Sequence, residues 1–170
     1  LGSIKERCIK ALEFYLTRPD LETEFHRRLE FCINTVKDLS PKGFTTNPII
    51  SDFFSKFGVN GRTRMQVHQG VDIIGYANEP ILAMADGVVL ETASADCVGP
   101  NVVIDPGLSF NNKRLISIYS HTGEYLVEEG EKVKRGSIIA KLPEKIEHPC
   151  MARVRHLHVQ IGQEYCGKEK

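Results

Sequence analysis

The spacing of the apolar residues changes near residue 43, and that change limits the folds open to this chain. Before it, Ile4, Cys8, Ile9, Leu12, Tyr15 and Leu16 recur with the 3.6-residue period of an amphipathic helix. Pro19-Asp20 interrupts the pattern, with Asp20 as an expected N-cap and Glu22 and Glu24 in the first turn that follows. Leu21, Phe25, Leu29, Cys32 and Val36 make a second stripe, and Pro41 and Gly43 end it. The first segment is therefore expected to be an αα-hairpin. After Gly43 the apolar residues form short β-branched clusters: Val71/Ile73/Ile74, Val88/Val89, Val102/Val103/Ile104, Ile116/Ile118, Ile138/Ile139 and Val159/Ile161. Turn signals such as Asp86-Gly87, Gly99-Pro100-Asn101, Asp105-Pro106-Gly107 and Asn111-Asn112 separate them. The fold class is mainly β, an antiparallel sheet or roll behind a helical hairpin, with domains expected at 1–43 and 44–170.

Charge narrows the function. The 170 residues carry 22 Lys+Arg and 22 Asp+Glu, a net charge of zero. Nucleic-acid and anionic-membrane binding both draw on a basic surface, so neither is expected. No apolar run reaches the roughly 20 residues of a membrane-spanning helix. Cys8, Cys32, Cys97, Cys150 and Cys166 form no C-x-x-C pair, which argues against a zinc ribbon or a thioredoxin-like site. They suit either an oxidising compartment or unrelated buried thiols. Cys8 lies ten residues before Arg18, and Cys32 twelve after Asp20. At about 1.5 Å per residue the two thiols reach nearly the same height on antiparallel helices. They are expected to face each other as a candidate bridge. Cys97 and Cys150 are a second candidate pair.

Histidine is where the chemistry gathers. In Val67-His68-Gln69-Gly70-Val71-Asp72, a straight strand would put His68 and Asp72 on one face but about 13 Å apart. They can share an ion only if the chain bends, and Gly70 is the residue that permits a bend. In His156-Leu157-His158-Val159-Gln160-Ile161 the two histidines share one face about 7 Å apart, with Leu157, Val159 and Ile161 turned to an apolar core. Arg153 and Arg155 fall opposite the histidines and read as solvated charges. His121 ends the Ile116–Ser120 run, just before Gly123. Read singly, each of these histidines is as well explained as a solvated or structural residue. Together, two His and one Asp make a three-ligand set with an open fourth position, the arrangement of catalytic zinc. Two further histidines are then placed to assist proton transfer and oxyanion stabilisation. Neither H-E-x-x-H nor G-x-S-x-G occurs in the chain.

These motifs, in this order and spacing, resemble the lysostaphin-type (LytM-like) zinc metallopeptidases that cut peptides of bacterial peptidoglycan. The resemblance runs from about Ile50 to Ile161. It rests on Ser51…Phe57-Gly58…Arg62, His68-Gln-Gly70-Val-Asp72-Ile73 and Asn101-Val-Val-Ile104. Ile118-Tyr119-Ser-His121, Val127…Gly130…Val133…Gly136…Ile139 and His156-Leu-His158 complete it. It implies one zinc ion held by His68, Asp72 and His158, with His121 and His156 catalytic. It also implies a peptidoglycan peptide as substrate and an extracytoplasmic location, the signal segment lying outside this sequence. Where the family has a glycine-rich Ser-Thr-Gly-Pro stretch, this chain has His148-Pro149-Cys150-Met151-Ala152-Arg153-Val154-Arg155, so the family's substrate specificity does not carry over. Two other readings stand beside it. One is a catalytically idle module of the same fold that binds the wall or activates other wall hydrolases. The other is a lipoyl-type carrier built on the glycine-spaced hairpin, with Lys132 or Lys134 modified.

Overall fold

The computed structural model describes residues 2–18, 22–38, 47, 49–57, 63–95, 99–146 and 154–163. Helix α1 spans Ile4–Thr17 and α2 spans Glu22–Asp38. Ser3 caps α1 by accepting the Glu6 N–H at 3.2 Å, while the Glu6 carboxylate accepts the Ser3 N–H at 2.9 Å. This reciprocal capping box satisfies two of the donors a helix start leaves unpaired. The two helices pack along one stripe each, Cys8, Leu12 and Tyr15 against Leu29, Cys32 and Ile33. Ile4 and Ile9, which the helical period assigns to the buried face, are 52% and 38% exposed. The stripe that packs is narrower than the apolar pattern, because α2 and the sheet cover only one side of α1. Asp20, the expected cap of α2, lies outside the described residues, as does the boundary at residue 43.

Ile33 is fully buried at 0% exposure, where the hairpin meets Ile74 and Val154 of the β-rich part. The helices thus share a core with the sheet. Ile33→Ala should lower unfolding free energy by about 2–5 kcal/mol, the range for emptying a packed aliphatic site. A shift in the urea midpoint with unchanged slope would measure it; no shift would mean the hairpin contributes no packing.

The strands are β1 (Ile49–Ser51), β2 (Val71–Ile74), β3 (Pro80–Leu82), β4 (Gly87–Ala95), β5 (Gly99–Asp105), β6 (Ser109–Phe110), β7 (Lys113–Arg114), β8 (Ile116–Ser120), β9 (Lys132–Val133), β10 (Ile138–Lys141) and β11 (His156–Gly162). Seven form one antiparallel sheet in the order β1-β2-β11-β8-β5-β4-β9. Val89, Val102, Ile104, Tyr119, Val133, and Ile139 of the β10–β3 ribbon close the main core. The mainly β architecture behind a helical hairpin is as the sequence predicts. The glycine-spaced stretch does form tight turns, with Gly130 and Gly136 both at φ +85°. It is not a hairpin, however, because β9 pairs with β4 and β10 with β3. The two apolar clusters of that stretch serve different sheets.

The two thiols face each other as expected, and both are free and buried. Burial first, and the neighbouring Cys8 thiol second, push the Cys32 thiol up to about 12. The bridge between them is not formed. Disulfide exchange needs a thiolate, and burial disfavours that form at Cys32. Cys97 and Cys150 lie outside the described residues.

Candidate metal centre

Three segments far apart in sequence meet where β11 runs between β2 and β8. His158 is the cross-strand partner of Asp72 on one side and of Ser120 on the other. Register alone therefore brings the second motif's aspartate and the last motif's histidine together, since directly opposed Cβ atoms sit about 4.5–5.5 Å apart. His121 follows Ser120 immediately. His68 precedes β2, and the chain bends at Gly70, so its Nε2 reaches Asp72 Oδ1 at 3.2 Å. The bend predicted from Gly70 is what turns a 13 Å strand separation into contact. Glycine is also required there by space: a Cβ would fall 2.5 Å from Val159 O and 2.6 Å from His158 Cε1. Gly70→Ala should displace His158 and weaken zinc binding by about 10–100-fold, the scale for disturbing a ligand's support. Competition with a fluorescent zinc chelator checks this; wild-type affinity would show that the contact is not needed.

Donor atoms converge on one point. Asp72 Oδ1 lies 2.9 Å from His158 Nδ1 and 3.2 Å from His68 Nε2, and those two nitrogens are 3.1 Å apart. The fit to an ion is direct. Zinc about 2.0–2.1 Å from each ligand in a tetrahedron needs ligand atoms about 3.3 Å apart, and these side chains already form such a face. Outer partners set the imidazole tautomers. The His68 Nδ1–H faces the Asp52 carbonyl at 2.9 Å, leaving Nε2 for the centre. His158 Nε2 faces Gln160 Oε1 at 3.2 Å, leaving Nδ1 inward. Such donation to oxygen orients a ligating histidine and raises its basicity.

The electrostatics agree. Burial alone would raise the Asp72 carboxyl, but the His158 hydrogen bond and the charges of His156, His68 and His158 hold it below the ordinary carboxylate range. Its Oδ2 faces the Arg64 guanidinium at 3.5 Å. His156 is buried, and burial pushes its pKa down against the pull of Asp72. Its Nδ1–H is directed at the Val154 carbonyl at 2.7 Å, and its Nε2 stands 3.8 Å from Asp72 Oδ1. His121 packs edge-on to His156 with ring centres 4.8 Å apart, and lies 6.1 Å from the His158 ring. It adopts a left-handed φ of +64°, a conformation uncommon outside glycine that histidine enters more readily than most residues.

All five histidine and aspartate positions singled out in the sequence thus come together. His26 stands apart on α2, 3.9 Å from Glu30. Two predictions about β11 are corrected. Arg155 is not solvated; it is 2% exposed and donates to the Pro143 and Glu144 carbonyls, each at 2.6 Å. Ile161 is 62% exposed rather than in the core. Strand alternation assigns faces correctly, but the hairpin and the 143–144 segment cover the arginine's face, while β11 outruns the core at Ile161. Arg153 lies outside the described residues. Arg64 and Gln160 were missed. Gln160 had a signal, since two residues beyond His158 it shares that strand face; Arg64 had none.

The model of peptidase family M23 matches residues 66–168, which include His68, Asp72, His121, His156 and His158. The chain belongs to peptidase family M23. A curated relative, the lipoprotein NlpD/LppB homolog of Pseudomonas aeruginosa, is 31% identical over 96 residues, covering 56% of this chain and 29% of that protein. Among solved structures, a zinc-containing peptidase from Vibrio cholerae is 27% identical with a TM-score of 0.50, over 68% of this chain and 33% of that one. LytU is 25% identical with a TM-score of 0.54, over 75% and 81%. The catalytic domain of lysostaphin from Staphylococcus simulans shares the fold at 20% identity and a TM-score of 0.51, over 80% and 87%. The chain spans less than a third of the length of the curated relative it matches. As an M23 member it has the lysostaphin-type fold expected from its motifs.

Proposed function

We propose that this M23 chain is a zinc-dependent endopeptidase that hydrolyses cross-links or stem peptides of bacterial peptidoglycan. The observation that carries the reading is the triangle of His68 Nε2, Asp72 Oδ1 and His158 Nδ1, with sides of 2.9–3.2 Å, flanked by two histidines outside it. His68, Asp72 and His158 would hold the ion. When bound there, zinc supplies a Lewis acid for the scissile carbonyl and lowers the pKa of water to about 7. The protein's own groups do the rest. His156, kept neutral by burial and with Nδ1–H directed at Val154 O, accepts a proton at Nε2 and passes it to the leaving amine. His121, fixed beside it, donates to the oxyanion of the tetrahedral intermediate.

The names of the relatives, a lipoprotein homolog and a lysostaphin domain among them, support an extracytoplasmic site of action. Among the described residues no helix is long and apolar enough to cross a membrane. The division of labour follows the change of pattern, with 1–43 a helical appendage and 44–170 the peptidase. One observation favours an idle module: the curated relative is named as a lipoprotein rather than as a peptidase. Metal analysis with digestion of purified peptidoglycan separates the two. The enzyme should carry one zinc per chain and release new amino termini, stop on chelation and resume on added zinc. Bound zinc without new termini would assign it to the idle module.

A further inference from the structure

A cavity of about 360 Å³ opens between α1 and α2, and none of the metal-centre residues lines it. Among the described residues its walls include Arg7, Lys10, Arg18 and Arg28 and no carboxylate. Ala11, Leu12, Leu29 and Cys32 supply apolar lining. We infer that this cavity binds a small anionic amphiphile, a single short apolar chain ending in a carboxylate or a phosphate.

Three observations carry this. The first is charge. Acids and bases balance at 22 each over the chain, so four cations around one opening do not follow from composition. The hairpin's described carboxylates are engaged elsewhere or stand outside the lining: Glu6 closes the α1 capping box and Glu30 faces His26. Among the described residues no carboxylate pairs with Arg7, Lys10 or Arg28. Guanidinium groups take the paired oxygens of carboxylate and phosphate alike.

The second is shape. Arg7, Ala11 and Phe14 follow one another along α1 at steps of three or four residues, so they form one continuous face, and Arg18 stands at its C-cap. Ala11, the smallest side chain of that face, lines the cavity together with Leu29 and Cys32. The third is size. Pockets for small ligands run from roughly 300 to 1,000 Å³, so this volume suits one short chain rather than a partner helix. Cys32 contributes an apolar wall and no charge, because its thiol is held protonated.

Titration calorimetry of the full chain tests this with decanoate, decyl phosphate, decanol and acetate, all as monomers. One or both decyl anions should bind saturably, one per chain, and the stronger of the two names the head group. Decanol should bind at least about 10-fold more weakly and acetate not at all. Lys10→Gln with Arg28→Gln should weaken anion binding by about 10-fold or more. Ala11→Phe, filling the cavity, should abolish it with helicity unchanged by circular dichroism. No saturable binding of either anion at about 1 mM overturns the site. So does decanol binding as tightly as the anions, or an affinity that the charge variant leaves unchanged. Capture by anionic vesicles alone would assign the cations to a membrane surface and overturn it equally.

Discussion

An Asp72→Ala protein is expected to leave purification almost free of zinc and without peptidoglycan hydrolysis. Asp72 Oδ1 is the atom on which the centre is built, 2.9 Å from His158, 3.2 Å from His68 and 3.8 Å from His156. The side chain is buried, and its anionic form is held by those imidazoles against the cost of burial. Removing it deletes one of three ligand atoms and the anion that offsets the ion's charge. The loss of affinity should therefore exceed the 10–100-fold that an outer partner costs. Asp72→Asn keeps the volume and isolates the charge, and should lose zinc nearly as completely. Mass-spectrometric zinc counting on the purified variants decides. One zinc per chain in either would remove Asp72 from the ligand set.

His156→Ala should behave in the opposite way, keeping zinc while turnover falls by about 10²–10⁴, the range for losing a proton-transfer partner or an oxyanion donor. Its Nε2 is 3.8 Å from Asp72, outside the 2.9–3.2 Å triangle, and Nδ1 is committed to Val154 O. Its fixed tautomer suits repeated proton exchange at Nε2. Because the ring is buried, His156→Gln should accompany the alanine variant as a nearer match in volume. The loss should fall on kcat rather than KM, because the group acts in the transition state. Loss of zinc from both variants would move His156 into the ligand set, and full activity would remove it from the chemistry. His121→Ala is expected to share the pattern, losing turnover with its zinc in place.

How much of this could be read from the residues depends on the range of the interaction. The helices, the β-branched clusters and the bend at Gly70 are local, and periodicity and turn chemistry express them. The pairing of Asp72 with His158 follows from register, which no local pattern states, and it was reached through the order of the motifs. Face assignment along β11 was correct and puts Arg155 on the side of Leu157 and Val159, but that a guanidinium is held there was not legible, because its acceptors, the Pro143 and Glu144 carbonyls, come from another segment. The same applies to Arg64, whose approach to Asp72 depends on the fold between Ser51 and His68. The stretch from Val127 to Ile139 shows the converse: a regular local pattern predicts its tight turns, but not that the strands beside them pair with β4 and β3.

The position of β11 has a consequence for how the molecule is made. It is the last described strand to leave the ribosome, yet its place is in the interior of the sheet, between β2 and β8. Until synthesis reaches His158, those two strands have no partner between them, and the nascent chain carries only two of the three triangle donors. The triangle of donors is therefore complete only once β11 has docked between β2 and β8. A chain stopped short of His156 would expose two unsatisfied strand edges and lack one of the three donors, an invitation to aggregation and to quality-control proteases.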